Sequence, residues 1–390
     1  MSGQRWGLYV HVPFCRTRCT YCDFNIAIGM TEADHVRYTH ALIAELFGKS
    51  LPSGPLASIF FGGGTPSLVA SELLVGVIDA IRERRGLDET VEITIETNPG
   101  TVDEAKLAHW RQAGVNRLSI GAQAMQDDHL RRLNRAHDVQ DIVDTVRSAR
   151  MAGFSNISLD AIYGLPWQTE REWRETVRRL LDFQPEHLSL YQLMIEEGTP
   201  MAKRLARGAV RLPDDDRVAD MADWAEQALS AAGLMPYEIS NYARTGRESV
   251  HNQLYWQLEP YLALGAGAHA YLPGRRWWNV RNVRRYMERV EAGSDPVDGE
   301  EQLSQAEEMR EFLWLGLRQR CGVDVSRFRE RFGKSPEAAF AEVLRSLRQS
   351  GLLWFDDHSL RLTPRGRDLA SVVARALVDA PLRHQVGLSS

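Results

Sequence analysis

Cysteine is scarce in this 390-residue chain: there are four, and three of them (Cys15, Cys19 and Cys22) fall within "CRTRCTYC". A disulfide framework uses an even set of cysteines at scattered spacings, so an odd local trio with one distant Cys321 excludes it and reads as metal ligands. Lysine is nearly missing: Lys49, Lys106, Lys203 and Lys334 stand alone among 47 basic residues, an arginine bias that carries no functional weight. Positive charge is not in excess either, and a net charge of -5 excludes broad nucleic-acid binding, which needs a basic surface. No apolar run approaches the ~18 residues that span a bilayer, and the opening residues lack the segments of a secretory signal. The expected setting is the reducing cytoplasm, without a membrane span, any membrane contact being peripheral.

What is present is an ordinary globular composition, 44% hydrophobic and 25% charged, enough for one large domain or two unequal ones. Six short β-branched or aromatic runs predict strands: "WGLYVHV", "ASIFFGGG", "EITIETN", "RLSIGAQ", "NISLDAIYG" and "HLSLYQLMI". Between them, segments such as "EADHVRYTHALIAELF" carry apolar residues at helical spacing, so repeated βα units and a parallel, barrel-like sheet follow. In such sheets the loops leaving the carboxyl ends of the strands build the site. The cysteines follow strand one, "GGGTP" follows strand two, Glu96 and Asn98 close strand three, Gln123 closes strand four and Asp160 lies within strand five. Singly each has an ordinary reading as a turn, a solvated carboxylate or an amide cap. Their shared rim is the stronger signal.

Past "YQLMIEEGTP" the pattern changes. A helix is expected around 215–232, then an aromatic- and Gly-rich stretch at 251–272 and a small, acidic linker near 292–304. Helices at about 305–320 and 336–350, a hairpin in "GLLWFDDHSLRLTPRG" and a last helix at about 367–378 suggest a winged-helix-like unit. It lacks a basic stripe, which favours packing or partner contact over DNA binding.

A three-thiolate set leaves structural zinc one ligand short of its usual four. A [4Fe–4S] cluster normally takes four thiolates, so CxxxCxxC leaves one iron open. That iron can chelate the amino and carboxylate groups of S-adenosylmethionine (SAM), placing the sulfonium where a reduced cluster can cleave it to a 5′-deoxyadenosyl radical.

With an aromatic residue before its last cysteine, "CRTRCTYC" resembles the signature of radical SAM proteins. Together "LYVHVPFCRTRCTYCDF", "FFGGGTPS", "IETNPG", "GAQ", "LNRAH" and "LDAIYGLPWQT" resemble the HemN-like branch, which includes oxygen-independent coproporphyrinogen oxidases and HemW-type heme chaperones. The resemblance implies a partial (β/α)6 TIM-like barrel with a smaller C-terminal helical, winged-helix-like domain. The implied regions are a radical SAM core at 1–240, an HNxxYW/Gly-rich segment and linker at 241–300, and a HemN-like domain at 301–390. It further implies that Cys15, Cys19 and Cys22 hold the cluster, that Tyr9, Tyr21, Gly63 and Glu96 contact the SAM on the open iron, and that an electron donor serves the cluster. A second SAM site of the branch maps to Gly64, Thr65, Gln123, Arg135, Asp160 and Met194, with Tyr271 as a last contact. Alone, Arg135 and Asp160 read as surface or strand-end residues and Met194 as core.

Two departures separate the sub-branches. The oxidase pattern has a further cysteine two residues after the third, where this chain has Phe24, and an N-terminal extension before a stretch that begins here at residue 11. Both point to the chaperone type, as does "HNQLYW" at 251–256, which matches its HNxxYW motif. A histidine beside aromatics reads by itself as a core or capping residue. The resemblance makes His251 the favoured heme contact, with His11 and His269 as alternatives. The implied function is binding heme and passing it to a hemoprotein acceptor; the alternative is a radical-dependent coproporphyrinogen decarboxylase or a methyltransferase using both SAM molecules.

Overall fold

Six strands stand where the alternating runs place them, in a computed structural model that describes residues 4–380. They are β1 (Trp6–Val12), β2 (Leu56–Gly63), β3 (Glu92–Thr97), β4 (Arg117–Gln123), β5 (Ile157–Tyr163) and β6 (His187–Gln192). They lie side by side in chain order, all parallel. The crossovers contain α1 (Glu32–Gly48), α2 (Ser71–Arg85), α3 (Glu104–Gln112), α4 (Val139–Met151) and α5 (Glu170–Asp182), and α6 (Asp215–Ala231) follows β6. Their starts are written locally: Thr31 with Asp34, Asp138 with Asp141 and Thr169 with Glu172 form reciprocal capping boxes. Each such N-cap typically contributes ~1 kcal/mol. Residues 1–3 and 381–390, at the ends of the first and third expected regions, lie outside the described residues.

Parallel strands covered on both faces usually read as continuous apolar runs. Here they alternate. Leu8, Val10, Ile59, Phe61, Ile93, Ile95, Leu118, Ile120, Leu159, Leu188 and Leu190 are buried in the main apolar core. The intervening residues Tyr9, Glu96, Arg117, Ser119, Asp160 and Ser189 border internal cavities instead. This barrel therefore encloses a polar interior where a TIM barrel is filled by apolar layers.

The stretch at 251–272 is more ordered than its composition suggests. After β7 (Met235–Pro236) and β8 (Asn241–Ala243) come the helix α7 (Val250–Trp256) and β9 (Tyr261–Leu264), which pairs parallel with the free side of β1. β10 (His269–Leu272), β11 (Arg275–Asn279) and β12 (Val297–Gln302) extend the sheet antiparallel to twelve strands. β12 falls inside the expected linker. Its acidic composition is the chemistry of an exposed edge, with Arg275 Nε donating to Glu300 at 2.9 Å across the pair. Between β11 and β12, α8 (Val283–Glu291) lies on α1, where the Tyr286 hydroxyl donates to buried Glu45 at 2.7 Å.

A second core gathers Phe312, Phe328, Phe332 and Phe340. They lie on α9 (Gln305–Gly316), α10 (Val325–Phe332) and α11 (Pro336–Gln349), which with α12 (Ala370–Val378) surround a sheet of Val323–Asp324, Ser359–Leu362 and Leu353–Phe355. The order is winged-helix-like, with α10 and the strand at Val323 added to the expected elements. Cys321, for which burial as a small hydrophobe is the usual lot, is exposed. Among the described residues no helix is long and apolar enough to cross a membrane.

Candidate functional site

The cysteine loop is pinned at both ends. Cys15 ends the two-residue strand Phe14–Cys15, which pairs parallel with Ala27–Ile28. On the far side, "LNRAH" grips the loop: Asn134, in the left-handed region at φ 59°, donates from Nδ2 to Arg18 O at 2.8 Å, and its carbonyl accepts from Thr17 Oγ1 at 3.1 Å. The Thr20 N–H donates to Leu133 O at 3.0 Å. Arg135 follows, its guanidinium donating to Asn98 Oδ1 at 2.7 Å, Gly121 O at 2.9 Å and Cys19 Sγ at 3.5 Å. One arginine thus ties the loop to the carboxyl ends of β3 and β4.

The glycine run is dictated by its neighbours as well as by any ligand. A Cβ on Gly64 would sit 2.5 Å from the backbone carbon of Pro13, just before the cysteine loop. Gly63 has φ +108°, and a side chain there would run into His11. Both positions therefore require glycine. The next residue, Thr65, donates its N–H to Phe14 O at 2.7 Å, and its hydroxyl lies 3.5 Å from Cys15 Sγ while accepting from Asn98 Nδ2 at 3.0 Å.

These elements surround a cavity of about 370 Å³ at the carboxyl rim. Its walls bring together Cys15, Cys19, Cys22, Tyr21, Gly63, Gly64, Thr65, Glu96, Gln123, Arg135, Asp160 and Met194. Glu96 accepts from the Gly63 N–H at 3.0 Å, and burial, with the Asp160 charge adding to it, pushes its pKa up to about 7. Asp160 accepts from Ser119 Oγ at 2.9 Å and Ser158 Oγ at 3.2 Å; burial raises its pKa as well. Gln123 holds a left-handed backbone at φ 65° where the β4–β5 register shifts, a conformation sparse for a non-glycine residue. Met194, apolar and read alone as core, is 69% exposed at the mouth.

The thiols fit an iron–sulfur cluster. Among the described residues no three His, Cys, Asp or Glu side chains close around a single-ion volume. The trio lines one cavity wall instead, a donor set for a larger cluster rather than for closed tetrahedral zinc. Burial raises the pKa of the Cys15 thiol and takes that of Cys22 to about 11, so ligation must release protons. The Arg135 cation beside Cys19 offsets part of the resulting thiolate charge.

Comparison with known proteins follows nearly the whole chain. It is 36% identical over 374 residues to the heme chaperone HemW of Bacillus subtilis (strain 168), covering 95% of this chain and 98% of that one. It is 36% identical over 384 residues to the heme chaperone HemW of Mycobacterium tuberculosis (strain H37Rv), covering 97% and 96%. The chain belongs to the HemW family. A radical SAM superfamily model matches residues 9–180 and a HemN C-terminal domain model matches residues 303–369. The solved coproporphyrinogen III oxidase HemN of Escherichia coli superposes with a TM-score of 0.84 at 24% identity, over 97% of this chain and 91% of that chain, a likeness of fold. Radical SAM membership implies a [4Fe–4S] cluster and SAM.

Three expected contacts of this HemW-family chain lie away from the main cavity. Tyr9 stands behind it, its hydroxyl donating to His11 Nδ1 at 3.0 Å, and borders two adjoining cavities. Tyr271 points toward the C-terminal unit: it donates to Glu308 and accepts from Arg331 Nη2 at 2.7 Å. The third is His251. The family's HNxxYW motif lies on α7, at the amino end of the barrel, where the backbone N–H groups of Val250 and His251 donate to Glu92 at 3.1 Å. His251 is 1% exposed, with Nδ1 2.7 Å from Ser58 Oγ and Nε2 2.8 Å from the Tyr255 hydroxyl. Both nitrogens are occupied, and the adjoining cavity, about 210 Å³, is smaller than the ~300 Å³ at which small-molecule pockets begin. The expected heme contact is, as placed, a hydrogen-bonded core histidine. Trp256 turns the other way and stacks under Arg318, 4.5 Å from its ring centroid.

Sequence reasoning passed over Arg117. It is buried beside Glu92, lines the inner cavity with Glu96 and Asp160, and is the countercharge for this acidic interior. The signal for it was the polar residue at every second strand position.

Proposed function

We propose that this chain binds heme beside a SAM-bound [4Fe–4S] cluster and hands the heme to hemoprotein acceptors. The observation that carries this reading is the 36% identity to the B. subtilis heme chaperone HemW over 95% of the chain. Phe24 in place of the oxidase pattern's extra cysteine supports it. In this reading Cys15, Cys19 and Cys22 hold the cluster, and the chemistry that such a cluster supplies when bound is one-electron donation to SAM. Gly63, Glu96 and Tyr21 face the first SAM; Gly64, Thr65, Gln123, Arg135, Asp160 and Met194 line the space for a second.

The chain's own groups have defined tasks there. Arg135 positions the Cys19 loop and offers a cation toward a carboxylate. The Gly63 N–H holds Glu96 in place, and a carboxyl that ionises near neutrality can accept from ribose hydroxyls in one state and donate in the other. Asp160, held by two serines, can accept from an amine or hydroxyl.

The test is anaerobic reconstitution followed by parallel assays. The expected results are heme binding, transfer to an apo-hemoprotein, and no conversion of coproporphyrinogen even with SAM and a reductant as electron donor. Sustained protoporphyrinogen formation over many turnovers would overturn the chaperone reading.

A further inference from the structure

We propose that heme docks in a side cavity on the carboxyl rim, with His269 as an axial ligand to iron and Arg281 pairing with a propionate. This deepens, and rests on, the heme-binding reading above.

A second cavity of about 360 Å³ opens beside the cluster cavity and shares Gly63, Glu96 and Phe24 with it. Tyr255, Tyr261, His269 and Arg281 complete its functional walls. Its volume lies in the range of small-molecule sites. His11 and His269 line this side cavity and His251 the inner cavity next to it, whereas His137 lines the cluster cavity; an axial ligand here needs one of the first three with a free nitrogen lone pair. His11 has none: Nε2 donates to Asn25 O at 2.8 Å and Nδ1 accepts from Tyr9 at 3.0 Å. His251 is likewise occupied at both nitrogens. His269 is exposed, and among the described residues its ring makes no hydrogen bond. Partial burial, with Arg276 and Arg281 adding to it, holds its pKa below the ordinary histidine value, leaving the neutral imidazole that ligates metals.

The ring is also aimed. His269 stacks on Trp278 with centroids 5.6 Å apart and planes 25° from parallel. Trp278 in turn lies on Gly299 of the edge strand, where an added Cβ would stand 2.5 Å from the indole. The bare Cα lets the three layers close, and the stack fixes the imidazole plane. Phe24, 59% exposed, offers a second aromatic surface for a porphyrin face. Arg276 is taken up by Glu311 and Glu301, whereas Arg281 has no ion pair among the described residues and can take a carboxylate. A site on the rim leaves an edge of the porphyrin accessible, as transfer to an acceptor requires.

Hemin titrated into the full chain tests this, read by the Soret band with cluster iron measured alongside. His269→Ala should shift or abolish the band and weaken binding about tenfold or more, with cluster iron unchanged, and added imidazole should restore the band. Arg281→Glu should weaken binding about tenfold without moving the band. His251→Asn, which keeps hydrogen-bonding capacity in the core, should leave the band in place. A wild-type spectrum in His269→Ala, or a lost band that imidazole does not restore, overturns the assignment; loss of the band in a folded His251→Asn returns the role to that residue. Absence of any Soret change in the wild-type chain would sink the heme reading itself, a distinct result.

Discussion

Replacing Glu96 with Gln should flatten part of the pH dependence of this fold's stability. Glu96 is half-buried on the inner face of β3, and its pKa rises from the ordinary 4.5 to about 7, chiefly through desolvation. A group that holds its proton more tightly when folded stabilises the fold below its unfolded pKa and loses that contribution as pH rises through its folded pKa. The window therefore runs from about pH 4.5 to about pH 7, and at ~1.4 kcal/mol per pH unit the loss is ~3 kcal/mol. Gln is neutral throughout and its amide oxygen can still accept from the Gly63 N–H, so the variant should lack this share of the pH slope. Asp160, also raised by burial, is present in both proteins and loses only its coupling to Glu96 in the variant. The assay is urea denaturation of cofactor-free protein at pH 5 and pH 8. Glu96→Gln should narrow the stability difference between the two pH values by ~3 kcal/mol. An unchanged slope would mean that the carboxyl is hydrated and that its burial does not set its ionisation.

Single replacement of Cys15, Cys19 or Cys22 by Ala should abolish the cluster, because two thiolates cannot retain it, while Cys321→Ala should leave it intact; iron and sulfide analysis after anaerobic reconstitution decides. Gly64→Ala should destabilise the chain by ~1–3 kcal/mol and lower cluster occupancy, since its Cβ would meet Pro13 backbone that cannot swing aside. Gly76→Ala in α2, where nothing lies within 4 Å, is the control and should be neutral or stabilising in the same melt by ~0.5–1 kcal/mol.

The barrel strands were legible because local rules agreed: β-branched runs, glycine stops and capped amphipathic helices all pointed to the same elements. The observed β1 and β4 match the expected runs residue for residue, β2 is shifted one residue earlier, and the others differ by trimmed ends. The cysteine trio was legible from spacing alone. β9 was not, because its partner β1 lies some 250 residues earlier and "YLALGAGAHAYL" carries small residues that a turn would also use. β12 was read as a linker because an edge strand and a linker share acidic, small composition. The surroundings of His251 were illegible for a different reason: its partners Ser58 and Tyr255 come to it only through tertiary structure and the helix turn.

Gly63, Glu96 and Phe24 form a common wall between the cluster cavity and the side cavity. Ligands in the two cavities would touch the same three residues. Should SAM in the first cavity alter the affinity of the second for its ligand by some factor, that ligand must alter SAM affinity by the same factor. The protonation of Glu96 would then report on both compartments, and cargo loading and cofactor binding would be two ends of one reciprocal equilibrium.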